Sequence, residues 1–233
     1  MNIYLGFDPG GKNDYGWAVC ASQGRCLRVL SEGTTGSSQA AYKEALNAIP
    51  RGGTILGVGI DAPLFWSESG ERDVDNLVRK TIQKLGAPYP QGTVQQINSL
   101  RGACLVQGIL IANLIYRRFP DIHITESHPK ALLYFLGVAK KSKLPDEVLS
   151  KDLSEYLVQQ NGWNNEHERD AILGAITACA QTERRQGWRN LFEIERYPII
   201  PFNYSVGYWI PWDLVKTANC VTSPLGEKIK GTR

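Results

Sequence analysis

Two aspartates end strand-like runs that share one local pattern. In residues 2–8 the side chains of Gly6 and Asp8 fall on one face, and in residues 54–61 those of Gly59 and Asp61 do the same. A proline follows each aspartate within two residues and stops the strand. Glycine weakens a strand interior, so the repeated pattern predicts a bulky close neighbour on that face: a metal-bound phosphodiester, or a helix carrying another carboxylate. Turn capping could explain either aspartate alone, but the matched pair favours a functional site.

A third carboxylate lies in the segment HERDAILGAITA, residues 167–178. Ala171, Ala175 and Ala178 form a stripe of small residues with helical spacing, which lets a helix lie close on a sheet. Asp170 falls in the first turn and shares a face with His167. Helix capping would explain Asp170 by itself. Beside Asp8 and Asp61 it is predicted to be a third ligand.

A cluster of carboxylates suits Mg²⁺ or Mn²⁺, which prefer oxygen ligands and keep several waters. Two such ions about 4 Å apart can activate a water and stabilise the leaving oxygen of a phosphodiester. In this hypothesis Asp8 bridges both ions, with Asp61 on one and Asp170 on the other. His167 serves as an outer ligand or a proton carrier. Glu126 ends a further strand and is predicted as a fourth carboxylate at the rim.

Four residues are predicted to bind substrate. Lys12 lies in the first turn, and Arg72 and Arg79 lie seven apart on the helix after the Asp61 strand. Such cations could hold phosphates. His128 directly precedes Pro129, which opens a helix. For the cations the alternative is a solvated surface charge, and for His128 it is packing at a helix start.

The elements that must position these residues follow from periodicity. Alternating residues 2–8, 16–22 and 26–34 predict a three-stranded meander, and residues 54–61 and 122–126 predict two more strands. Helical spacing is present in the segments 38–49, 71–85, 94–118, 129 onward, 145–160 and 165–186. This order predicts an α/β fold with a five-stranded mixed sheet flanked by helices. We expect one domain over residues 1–189 and a C-terminal extension, residues 190–233, whose aromatics pack on the same domain.

Composition narrows the class of protein. The 233 residues are 42% hydrophobic, and the five cysteines include no C-x-x-C pair, which argues against a zinc cage or a disulfide framework. No segment is apolar enough for a membrane span, and the start leads directly into a strand, so we expect a cytoplasmic protein without a membrane partner. The net charge of +3 permits a nucleic-acid partner. The sequence leaves open whether the protein is a homodimer.

These residues carry a family resemblance. The order of elements resembles the ribonuclease H-like fold, and the helix starting at His167 is similar to the last catalytic helix of RuvC-type Holliday-junction resolvases. A closer resemblance is to the DUF429 family of predicted ribonuclease H-like nucleases. The shared elements are Gly6-Phe7-Asp8-Pro9-Gly10-Gly11, Gly16-Trp17-Ala18-Val19, Ile60-Asp61-Ala62-Pro63-Leu64, Arg72…Asp75…Arg79 and Glu126-Ser127-His128-Pro129.

The resemblance, which spans roughly residues 3 to 180, implies a metal-dependent nuclease that acts on DNA or RNA. Two alternatives stay open. A ribonuclease H-like binding module could keep the fold and use the acids structurally. A phosphotransferase of the actin and sugar-kinase type shares the fold, but 233 residues are few for two lobes and no second glycine-rich loop is present.

Overall fold

A computed structural model describes residues 1–11, 13–69, 71–96, 102–138, 153–158 and 163–213. Its centre is a seven-stranded sheet with the order β3-β2-β1-β4-β6-β9-β7, and β5 and β8 form a separate two-stranded ribbon. The strands are β1 Asn2–Asp8, β2 Tyr15–Gln23, β3 Cys26–Thr35, β4 Thr54–Ile60, β5 Trp66–Ser67, β6 His123–Glu126, β7 Arg189–Asn190, β8 Pro198–Ile199 and β9 Gly207–Ile210.

The sheet is mixed, as the sequence predicted. Strands β1, β2 and β3 form an antiparallel meander, whereas β4 pairs parallel with β1 and β6 pairs parallel with β4. The prediction of five strands is wrong, because β9 adds to β6 in parallel and β7 then pairs antiparallel with β9. Both extra strands come from the chain after residue 188, so the C-terminal segment extends the main sheet.

Six α-helices of the described residues flank the sheet. They are α1 Ser38–Ala48, α2 Asp73–Lys84, α3 Pro90–Thr93, α4 Gly102–Arg118, α5 Pro129–Phe135 and α6 Glu166–Thr182, and a short 3-10 helix covers Leu191–Ile194. Of the predicted helix 94–118, residues 94–96 are not helical, residues 97–101 lie outside the described ranges, and residues 102–118 form α4. Of the predicted helix 145–160, residues 145–152 and 159–160 lie outside the described ranges. Residues 153–158 form turns and a bridge from Leu157 to Leu27.

Each face of the sheet buries its own apolar core. One face holds Ile3, Leu5, Phe7, Val58 and Ile60 in a large apolar core with α1, α2 and α4. The other face receives α6, which contacts β1, β2 and β4 and is buried along nearly its whole length. The alternation in the sequence thus separates the face covered by α1, α2 and α4 from the face that carries Gly6 and Asp8.

Aromatic side chains attach the C-terminal segment to the domain. The rings of Phe192 and Tyr208 lie 4.8 and 6.5 Å from that of Phe65, each edge-on. Trp212 is fully buried, with its ring 6.0 Å from that of Phe135. These rings pack in the core, so they are not free to stack on bases. Within the described ranges, no helix is both long and apolar enough to cross a bilayer.

Candidate metal centre

Strand glycines let α6 lie directly on the sheet. A Cβ at Gly6 would overlap the carbonyl oxygen of Ala171, and one at Gly59 would overlap that of Gly174. Gly16 of β2 meets the carbonyl oxygen of His167 in the same way. The bulky neighbour predicted from the glycine pattern is therefore the helix that carries the third carboxylate.

This contact brings the three aspartates to one cavity. Asp8 ends β1, Asp61 directly follows β4, and Asp170 lies in the second turn of α6. All three line a cavity of about 210 Å³ at the carboxyl ends of β1 and β4. A cavity needs about 10–15 Å³ of such space to hold one water, so this one has room for several waters or a small anion.

The wall of the cavity comes from several other elements. His167 and Glu166 of α6 lie on one side, and His128, Pro129 and Lys130 lie at the start of α5. The remaining residues that line it are Pro9, Gly10, Ala62, Pro63, Gly92, Thr93, Gln95 and Cys104. The Cys104 thiol lies 3.8 Å from the backbone oxygen of Asp61. Burial, with the nearby charges of Asp61 and Asp8, raises the pKa of Cys104 to about 12, so the thiol stays protonated.

Two of the three carboxylates have a cationic or histidine partner. The Nδ1 atom of His167 lies 2.6 Å from Oδ2 of Asp8, and this hydrogen bond raises the pKa of His167. Arg169 donates from Nε to Oδ1 of Asp170 at 2.8 Å, and a terminal nitrogen of the same guanidinium lies 2.7 Å from that oxygen as an ion pair. Burial outweighs the Arg169 charge, with a further contribution from Asp8, and raises the pKa of Asp170 to about 6.

Asp61 carries the least compensated charge. Burial raises its pKa well above the usual value, and the nearby charges of Asp8 and Asp170 raise it further, while Lys130 acts in the opposite direction. Mutual effects of this kind show that the three carboxylates share one electrostatic environment. Such a set resists full ionisation without a cation, and a divalent ion would remove that repulsion.

The tightest set of possible metal ligands is a different one. Within the described part of the chain, one set of three acidic, histidine or cysteine side chains has all its ligand atoms within 4.8 Å of one another, and that set is Asp75, Glu126 and His128. The three aspartates do not meet that distance.

The set Asp75, Glu126 and His128 already holds a cation, the guanidinium of Arg72. Arg72 donates to both oxygens of Asp75 at 2.8 and 2.7 Å and to both oxygens of Glu126 at 2.8 and 2.7 Å. Its remaining N–H group donates to the backbone oxygen of Phe65 at 3.1 Å. All five N–H groups are therefore used, and the group serves as a buried ion-pair network.

Glu126 lies on the opposite face from the aspartates. Strand β6 does neighbour β4, but its register pairs Glu126 with Ile60, one residue before Asp61. Since successive side chains point to opposite faces, this register directs Glu126 towards α2. Arg72 lowers the pKa of Glu126 to about 2 against the effect of burial, and the carboxylate also accepts from the Leu64 N–H at 2.9 Å. Glu126 therefore does not reach the rim where the sequence placed it.

Of the residues predicted to bind substrate, some line the cavity and others are buried elsewhere. Arg72 is 1% exposed and has no free donor, so it is not available to a phosphate. Arg79 is buried and donates to the backbone oxygen of Val94 at 3.1 Å and to Asn76 at 2.7 Å, which ties α2 to the chain after α3. His128 lines the cavity, and its Nε2 atom lies 2.8 Å from Glu126. Lys12 lies outside the described residues.

Sequence reasoning overlooked Lys130, the lysine that lines the cavity. It is the second residue of α5, directly after His128-Pro129. Its position in the sequence could have identified it, because a helix that starts just after β6 must begin at the same sheet edge as the aspartates.

Comparisons with known proteins complete the description. No family model matches this chain, so the resemblance to DUF429 has no match of that kind. No curated protein matches it either. Among solved structures it is similar to RuvC of Thermus thermophilus, at 13% identity and a TM-score of 0.37, over 75% of this chain and 91% of that one. The strand order, a meander followed by parallel β4 and β6 with α6 packed across them, agrees with the ribonuclease H-like arrangement predicted from the sequence.

Proposed function

We propose that this protein is a divalent-metal-dependent nuclease that hydrolyses phosphodiester bonds of DNA or RNA. The observation that carries the proposal is the meeting of Asp8, Asp61 and Asp170, from three separate elements, at one small cavity. Asp8, Asp61 and Asp170 would hold the ions. The resemblance of the sequence motifs to DUF429 agrees with this assignment. The ions, Mg²⁺ or Mn²⁺, would supply activation of water and stabilisation of the leaving oxygen.

The chain's own residues would prepare the site. Arg169 holds Asp170 at the cavity wall through a hydrogen bond and an ion pair, and His167 orients Asp8 through its Nδ1 atom. His167 is part exposed and hydrogen-bonded to a carboxylate, so it can hold or release a proton near the cavity. On the far side, the Arg72 network fixes Glu126, which fixes the ring of His128. Glu126 thus has a positioning role instead of the metal-ligand role first expected.

One observation favours the binding-module alternative. Asp8 and Asp170 already have partners in His167 and Arg169, so two of the three acids are satisfied within the chain. The phosphotransferase alternative lacks such support, because the described strands form one large sheet and a short ribbon in place of two lobes. A cytoplasmic location stays a prediction of the sequence, and a homodimer stays open.

The test is cleavage of a panel of single-stranded, duplex and branched DNA and RNA with millimolar Mn²⁺. Asp8→Asn should lower the rate by more than about 100-fold, because even outer-shell partners of metal ligands cost about 10- to 100-fold. Asp121→Asn, at an exposed aspartate before β6, is the matched control and should keep full activity. Equal cleavage by wild type and Asp8→Asn would reject this site. Absence of cleavage by the wild type would favour the binding module.

A further inference from the structure

Lys130 is the one lysine or arginine among the described residues that line the acidic cavity. Its side chain is 55% exposed, and its charge acts on both Asp61 and Asp170. The ammonium group is therefore near the carboxylates and open to solvent. An anion that approaches the acidic cavity would be attracted first to this cation at its edge.

The ion pair that holds Lys130 is weak. Its Nζ atom lies 3.5 Å from Oε2 of Glu166, whose side chain is itself 56% exposed. Glu166 also lies 3.9 Å from the guanidinium of Arg169, so it is shared between two cations. Exposed pairs of this kind contribute little to stability, and the lysine stem can swing without much loss. Glu166 precedes His167, so the pair spans the cavity from α5 to α6.

The charge balance of the site explains why a phosphate would need this lysine. Three carboxylates repel an approaching phosphodiester, and a cation at the cavity edge lowers that repulsion. A lysine ammonium is a compact charge that binds phosphate oxygens without requiring one fixed geometry. Arg72, which the sequence suggested for this task, is fully engaged on the other face.

We propose that Lys130 is a phosphate-binding residue of this site. Its ammonium group would release Glu166 and contact a non-bridging oxygen of the nucleic-acid backbone. The proposal rests on the proposed function, since it names a contact to that substrate. The competing explanation is that Lys130 only neutralises the acidic cluster. In that case its removal would change the stability of the metal-free protein and leave nucleic-acid binding unchanged.

The experiment compares full-length wild type with Lys130→Gln, Lys130→Arg and Glu166→Gln. Anisotropy of a labelled oligonucleotide in Mn²⁺ gives the Kd over a series of salt concentrations, and steady-state cleavage gives kcat and KM. Lys130→Gln should raise Kd and KM by about tenfold or more and leave kcat nearly unchanged. A tenfold loss corresponds to the lower end of the free energy that a hydrogen bond to a charged group contributes. For this variant the slope of log Kd against log salt concentration should fall by about 0.7 to 0.9, which is the value for one phosphate contact.

Lys130→Arg should keep most of the affinity because it keeps the charge. Glu166→Gln should bind as tightly as wild type or more tightly, because the lysine no longer has a competing partner. Lys43→Gln, at an exposed lysine on α1, is the control and should match wild type. Each variant's melting temperature separates binding effects from misfolding.

The outcomes separate the two proposals. If wild type cleaves nucleic acid and Lys130→Gln keeps its Kd, KM and salt slope, the inference on Lys130 is overturned and the proposed function stands. If wild type binds without cleaving and Lys130→Gln loses affinity, the phosphate contact stands and the nuclease proposal does not. If wild type neither binds nor cleaves any member of the panel, both are overturned.

Discussion

Gly59 of β4 lies in direct backbone contact with Gly174 of α6: a Cβ at Gly174 would sit 3.1 Å from the carbonyl oxygen of Gly59. This contact, with the one between Gly6 and Ala171, sets the distance from helix to sheet. Because Asp170 is on the helix and Asp61 follows the strand, the same contact sets the distance between two of the candidate ligands. The geometry of the site therefore depends on residues that have no ligand atoms.

Gly59→Ala should weaken metal binding although it changes no ligand. The added methyl group cannot fit without moving α6, which should cost about 1–3 kcal/mol and displace Asp170. Thermal unfolding with and without Mn²⁺ gives both quantities, since an ion that binds the folded state stabilises it. Gly102→Ala, where a Cβ would meet nothing within 4 Å, is the control and should keep the full Mn²⁺ shift. A normal shift in Gly59→Ala would contradict this view of the helix.

Asp61→Asn should stabilise the metal-free protein in a pH-dependent way. The folded-state pKa of Asp61 is raised above its ordinary value of 3.8, so ionisation opposes folding as pH rises past that value. The variant should therefore match wild type near pH 3 and exceed it at pH 7. A gain of about 1 kcal/mol there would raise the melting temperature by roughly 2–4 °C. Equal melting curves for the two proteins at pH 7 in EDTA would argue against the crowded acidic site.

Arg72→Leu should destabilise the fold strongly. It would leave Asp75 and Glu126 as buried charges without a partner, which costs about 3–5 kcal/mol when a buried pair is broken. Arg196→Leu removes an exposed arginine that pairs with Asp73 at 3.2 Å, and should cost no more than about 1 kcal/mol. Denaturant titration of both variants makes the comparison. A stable Arg72→Leu protein with only a raised KM would restore Arg72 as a substrate contact.

His167→Gln should cost more stability in acid than in base. The hydrogen bond to Asp8 raises the folded-state pKa of His167 above 6.5, so its stabilisation is complete below pH 6.5 and is lost as pH rises through the folded value. The side chain is part exposed, so the cost near pH 6 should be about 1 kcal/mol. Urea titrations at pH 6 and pH 9 measure it. A cost that is equal at both pH values would mean that the pair is not charged.

Local patterns predicted the centre of the fold well. The alternation in β1 and β4 placed each glycine and aspartate on one face, and the alanine stripe of α6 indicated a helix that lies close to the sheet. Both features are written in single segments. The chemistry of the site could be proposed from them, because turn or helix capping explains one such carboxylate alone but not the matched pattern.

Contacts between distant segments were harder to predict from the sequence. The face of Glu126 depends on a pairing register with β4, and a shift of one residue reverses it. The full use of Arg72 depends on Asp75, Glu126 and the backbone of Phe65 meeting it in space. Strands β7 and β9 have only two and four residues, too short for a periodic signal. These features arise from tertiary contacts that no local window contains.

The central claim is that Asp8, Asp61 and Asp170 hold divalent ions. The most direct measurement is diffraction from crystals grown with Mn²⁺, with anomalous difference maps recorded above the manganese absorption edge. The account predicts two anomalous peaks about 4 Å apart in the cavity, both bound by Asp8, with Asp61 on one and Asp170 on the other. No peak among these carboxylates at millimolar Mn²⁺, or a peak confined to Asp75, Glu126 and His128, would contradict it.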